Sequence, residues 1–180
     1  MEGEKTVGVG SVSPTVALPK SLASKTPLIF LIVGLILLAL GFVLPFAGIS
    51  IMGFTIGINI WGMSVLGMNF YWWSIPGSAP AGVGILILAM VVLIIAILTE
   101  LLAVVFCARN EPKMKMMAKL SGIFAIITVV LFWVGLFSLG GGGEETASAV
   151  MTTGVTLFPH AGTFTTIIAG ILSFVAIRKA

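Results

Sequence analysis

Four apolar runs, each about as long as a helix needs to cross a bilayer, decide what this chain can become. They span residues 28–47, 81–108, 120–139 and 159–177, and Glu100 is the one charged residue inside them. A helix rises 1.5 Å per residue, so about 20 residues cross a hydrocarbon layer about 30 Å thick. Only 8% of the 180 residues are charged and 59% are hydrophobic, against roughly 25% charged in soluble domains. The mean hydropathy of +1.24 points the same way. Such a chain lacks the polar residues to cover itself in water, so lipid is its expected solvent. The fold class is a membrane all-α protein: a four-helix transmembrane bundle, with a small β hairpin or sheet in the connecting loops.

The basic residues orient that bundle. Lys5, Lys20 and Lys25 precede the first run, Arg109, Lys113, Lys115 and Lys119 separate the second from the third, and Arg178 and Lys179 close the fourth. With four crossings, all nine fall on one side. Basic residues stay on the cytoplasmic side of membrane proteins, so the N- and C-termini are expected in the cytoplasm of a cell-membrane protein. Residues 1–26 form the cytoplasmic tail and residues 27–180 the transmembrane domain, with external loops over 48–80 and 140–158. The tail lacks the short apolar core and cleavage site of a secretory signal, so the first run reads as a retained anchor.

The first external loop carries no charge. Phe54–Trp61 alternates large apolar with small or polar residues, the period of a half-buried strand. Ile56, Ile58 and Ile60 are expected on one face, with Gly48, Gly53, Gly57, Gly62 and Gly67 marking turns. Tyr71, Trp72 and Trp73 lead back to the second helix, and such amphipathic rings favour the membrane–water boundary. The second loop opens on a Gly-rich, acidic connector, Gly140–Glu145, and residues 150–157 suit one further strand.

Helix, long β-bearing loop, helix, short basic turn, helix, shorter loop, helix: with Trp61-Gly62 and Trp72-Trp73 in the first loop, this layout resembles the claudin-type tetraspan proteins. The loops hold no cysteine pair, since Cys107 is the only cysteine. The resemblance implies association with neighbouring membrane proteins, or with further copies, through the external loops.

Few residues could carry chemistry. Glu100 lies about two helical turns inside the cytoplasmic end of the second run. An ionisable group at such depth is costly and usually faces the bundle interior. It reads either as a proton or cation site, or as a neutral carboxyl bonded to a hydroxyl such as Thr128 or Ser173. His160 is the only histidine. One histidine makes no multi-histidine metal centre, and a nucleophile pair with Ser148 or Thr163 lacks any supporting motif, so His160 reads as an interfacial residue at a helix end. Ala161, Thr165, Ala169 and Ser173, with Gly162, Thr166 and Gly170 beside them, form small-residue rows that let helices approach closely. Gly34 and Gly41 give the first helix a similar edge. Arg109, Lys113, Lys115 and Lys119 are expected to rest on anionic lipid headgroups.

The chain has no Asp and no Gln, and only Asn59, Asn69 and Asn110 among amides. Thermophilic proteins shed heat-labile amides, and lipid-exposed chains avoid them too. Enzymatic machinery is scarce: one His, one Tyr, one Cys. The favoured expectation is a non-enzymatic interaction subunit of a larger or self-associating membrane assembly, its loop contacts made by Ile56, Ile58, Ile60, Trp61, Tyr71, Trp72 and Trp73. A proton-linked or small-solute transporter using Glu100 is the alternative, and a lipid- or quinone-linked enzyme subunit a third. Expected partners are membrane lipids and other membrane subunits or itself, without nucleic acid, metal or cofactor.

Overall fold

The computed structural model describes residues 25–51, 54–65, 68–74, 81–139 and 156–180. Residues 1–24 of the expected N-terminal tail, Gly53, Gly67, the Gly140–Glu145 connector and Ser148 lie outside these residues. Four helices are long and apolar enough to cross a membrane: α1 (Thr26–Val43), α2 (Ala81–Ala108), α3 (Lys113–Leu139) and α4 (Ala161–Lys179). α2 lies along α3 and α1 along α4, and α3 also packs on α4.

The helix ends are set by local chemistry more than by where apolar character stops. Pro27 sits in the first turn of α1, where its missing N–H costs nothing. α1 stops at Val43, short of Ala47, because Leu44 takes an extended conformation with ψ 150 before Pro45. A residue preceding proline is sterically pushed out of the helical region. α2 closes on Asn110, whose φ of 55 is left-handed. The Glu111 N–H then bonds to the Phe106 carbonyl at 2.8 Å, which satisfies a carbonyl at the helix end. α3 restarts at Lys113, seven residues before the expected start at 120, since Lys113–Lys119 is helical too. α4 starts after the expected 159, because Pro159 ends a strand and His160 is extended.

Five strands form one antiparallel sheet across the ends of the helices. β1 (Ala47–Ile51), β2 (Phe54–Asn59), β3 (Gly62–Val65) and β4 (Met68–Tyr71) come from the α1–α2 connection, and β5 (Thr156–Pro159) from the α3–α4 connection. Their order is β4-β3-β2-β1-β5. β1 is the shared strand, with Ala47 opposite Ile58 on one side and Pro159 on the other. Thr156 and Leu157 of the expected strand over 150–157 lie in β5, which runs on to Pro159. Residues 150–155 lie outside the described residues. Pro159 is tolerated because β5 is an edge strand.

Sheet and bundle share one core. Phe46, Ile58, Ile60 and Trp72 from the sheet region are buried with Val83 and Leu86 of α2 and Phe132 and Leu136 of α3. Phe46 and Phe132 rings lie 4.8 Å apart. The Trp72 indole N–H donates to the Ile60 carbonyl at 3.0 Å, which ties the short 3-10 turn Trp72–Ser74 back to the β2–β3 turn. Trp72→Phe keeps a ring but loses that bond. It is expected to cost about 1–3 kcal/mol, read as a lower melting midpoint in detergent, and an unchanged midpoint would contradict this role.

Candidate functional site

β4 is exposed along its whole length. Strand side chains alternate between faces, so burial of one face would give an alternating pattern. Instead Met68 (59% exposed), Asn69, Phe70 and Tyr71 are all open to the surroundings, and Trp73 (57%) follows. Among the described residues β4 is also a sheet edge, pairing only with β3. Its rings are ordered. Trp61 lies 5.5 Å from Tyr71, and Tyr71 stacks on Trp73 at 4.8 Å with 15° between planes. The Ser74 hydroxyl donates to the Tyr71 carbonyl at 2.7 Å and holds the turn that presents Trp73.

The expected loop contacts therefore divide. Ile58 and Ile60 are buried and Trp72 nearly so, all committed to the chain's own core. Ile60 lies in the turn after β2, and Ile56 is half-buried opposite Ile49. Trp61 is half-buried against the core, while Tyr71 and Trp73 remain exposed. Met68 and Phe70 join them, and their sequence signal is the break in alternation over Met68–Tyr71.

The second concentration of unusual chemistry is in the bundle. Glu100 is 0% exposed. The other three helices meet it with small residues. The Ser173 hydroxyl of α4 is 2.9 Å from Oε2. A β-carbon on Gly34 of α1 would stand 2.7 Å from Oε1. On α3, Ser121 is buried and donates to the Ala96 carbonyl, one turn before Glu100, at 3.0 Å. Of the two hydroxyls expected for Glu100, only Ser173 meets it. Thr128 donates to the Phe124 carbonyl of its own helix.

No protein-family model matches this chain, and no curated protein is detectably similar to it in sequence.

The remaining residues are structural or peripheral. Gly41 faces Thr166, Gly162 sits under Leu44 and Pro45, and Gly170 faces Gly122. The small-residue rows are thus used between helices of this one chain. His160 holds the N-cap position of α4 without a side-chain cap bond, and its ring is 6.2 Å from Phe158. Thr163 donates to the Phe46 carbonyl at 2.7 Å, so its hydroxyl is engaged away from His160. At the opposite end from the sheet, Arg109, Lys113, Lys115 and Lys119 are exposed. Lys113 Nζ sits 6.0 Å over the Phe106 ring. A cleft of about 290 Å³ there is lined by Pro27, Cys107, Asn110, Lys115 and Lys179 among others. Among the described residues no group of three or more His, Cys, Asp or Glu could hold a metal ion.

Proposed function

We propose that this chain is a multi-pass cell-membrane protein of claudin-type layout that works by association: a non-enzymatic subunit of a larger or self-associating assembly. The observation that carries this reading is β4, an unpaired sheet edge exposed at every position, without a charge, and continued by a stacked Tyr71–Trp73 pair. Proteins guard exposed edges with charge, proline or cover; β4 itself has no charge and no proline, and among the described residues nothing covers it. Main-chain groups along an open edge can pair with another chain, and aromatic side chains beside them are the commonest binding anchors.

Charge supports an orientation. Every described basic residue (Lys25, Arg109, Lys113, Lys115, Lys119, Arg178 and Lys179) lies at the helix ends opposite the sheet, which favours a cytoplasmic position for that end and an external one for the sheet. The exposed flanks of the four helices, such as Ile36, Leu98, Val130 and Ile171, then face lipid, and the basic side chains meet anionic headgroups.

Two measurements test this. In a Cys107→Ser background, single cysteines at Ser74 and at Met116 are exposed to an impermeant thiol reagent in intact cells. Labelling at Ser74 alone is expected, and labelling at Met116 alone reverses the orientation. Native mass spectrometry after mild detergent extraction is expected to show more than one polypeptide per particle. A strict monomer across all mild detergents would remove the association reading.

A further inference from the structure

We infer that Glu100 is a proton-binding site closed by α1, with the proton on Oε2. The argument is a count of hydrogens. The Ser173 hydroxyl lies 2.9 Å from Glu100 Oε2 and 3.0 Å from the Ala169 carbonyl oxygen. It has one hydrogen, and the carbonyl can only accept. Both contacts are hydrogen bonds at once if the carboxyl brings a hydrogen of its own. Oε2–H then donates to the Ser173 hydroxyl, and Ser173 donates to Ala169. The nearest other hydroxyl, Ser121, already directs its hydrogen to the Ala96 carbonyl at 3.0 Å.

The other oxygen agrees. Oε1 is buried with no hydrogen-bond partner. An ionised carboxylate has two oxygens that both need donors, and among the described residues, with the Ser121 hydrogen on the Ala96 carbonyl, it would have Ser173 alone. In a neutral acid, Oε1 is an uncharged carbonyl, for which a missing partner is far cheaper. Among the described residues no cation replaces the proton. α1 has no titratable side chain, α3 none after Lys119, α4 none before Arg178, and α2 itself only Cys107 besides Glu100. Lys119 is exposed, and two residues on an α-helix turn about 200°, so it points away from Ser121 and the carboxyl.

α1 is the lid of this site. Gly34 has no side chain, and a β-carbon there would stand 2.7 Å from Oε1. The glycine lets the α1 backbone lie directly on the oxygen and exclude water from it. Release of the proton would leave an unpaired charge against that backbone, so exchange requires α1 to lift from α2 and α4. Occupancy of Glu100 by a proton and closure of α1 are therefore linked.

Infrared spectroscopy of the full-length protein in a detergent without ester or acid carbonyls tests this directly. The acidic side chains are few, six Glu and no Asp, so a band can be assigned by its loss in a single variant. The expected spectrum has one protonated-acid carbonyl band that shifts in D2O and is missing from Glu100→Gln. The Gln amide can donate to Ser173 as the acid does, so that variant should fold. Ser173→Ala should keep the band and move it to higher frequency. Gly34→Ala should speed its exchange in D2O by at least about tenfold, since it wedges the lid open. A wild type without an acid band, or a band that survives Glu100→Gln, overturns the proton assignment. An unmoved band in Ser173→Ala overturns the hydrogen-bond chain. Exchange no faster in Gly34→Ala overturns the α1 lid.

Discussion

Gly162→Leu is expected to abolish the folded protein. Gly162 is the second residue of α4 and lies beneath the turn between α1 and β1. A β-carbon there would stand 2.7 Å from the Leu44 carbonyl oxygen, 2.8 Å from Phe46 Cδ2 and 2.9 Å from the Pro45 carbonyl oxygen. Two of these three are main chain and cannot rotate away. Three hydrogen bonds fasten the same junction. The Gly162 N–H donates to Pro45 at 2.8 Å, the His160 N–H to Phe46 at 2.9 Å, and the Thr163 hydroxyl to Phe46 at 2.7 Å. Making room would pull α4 off all three and unseat Phe46, which is packed on Phe132. Overpacking usually costs about 1–3 kcal/mol. With the bonds lost as well, the cost should exceed about 4 kcal/mol, a large part of a domain's stability. Gly84 provides the control, since nothing lies within 4 Å of its added β-carbon. Gly84→Leu should elute and melt as wild type, while Gly162→Leu should give aggregate or no cooperative transition. A Gly162→Leu protein that melts with the wild type would mean that the junction does not hold the sheet to the bundle.

That junction also shows where a reading of the sequence stops. The four helices are legible because about 20 apolar residues in a row have few other uses. α2 falls on residues 81–108 as expected. The ends of α1, α3 and α4 shift because they obey neighbouring residues: Leu44 before Pro45, the helical Lys113–Lys119 segment, and Pro159 in an edge strand. The alternation over Phe54–Trp61 reveals a strand, found at Phe54–Asn59. It says nothing of partners. β1 and β5 are more than a hundred residues apart in sequence, and their pairing, Ala47 opposite Pro159, depends on α1 and α4 first lying side by side. Depth offers Ser173 as one candidate partner of Glu100, since the two lie within about one helical turn of the same level, nine residues before Arg109 and five before Arg178. Depth could not reject Thr128, which turns its hydroxyl to Phe124. Which loop residues face inward was also hidden. Ile58 looks like a surface isoleucine in an external loop, yet it helps fill the space over the helix ends.

If the chain associates as proposed, the Tyr71→Lys, Trp73→Lys double variant is expected to release it from that assembly while leaving its own fold intact. Both side chains are exposed, and the bond that holds their turn uses the Tyr71 carbonyl, which lysine retains. Trp72, between them, points into the core and is left alone. Folding should change by less than about 1 kcal/mol, as for surface substitutions generally. Association should change far more. Aromatic anchors at interfaces are worth about 2 kcal/mol each or more, and a lysine adds a charge that is costly to desolvate. A combined loss of about 4 kcal/mol weakens binding by roughly a thousandfold. The measurement is particle mass against protein concentration in one detergent, beside Val130→Ala on the exposed flank of α3 as control. The wild type and Val130→Ala should hold the complex at concentrations where the double variant is monomeric with an unchanged melting midpoint. The same rings would also suit a boundary with lipid headgroups, and that role makes a different prediction. Lysines at these positions would then leave the complex whole, because a long basic side chain reaches headgroups readily. An intact complex in the double variant would thus assign the rim to lipid and take the association surface away from β4.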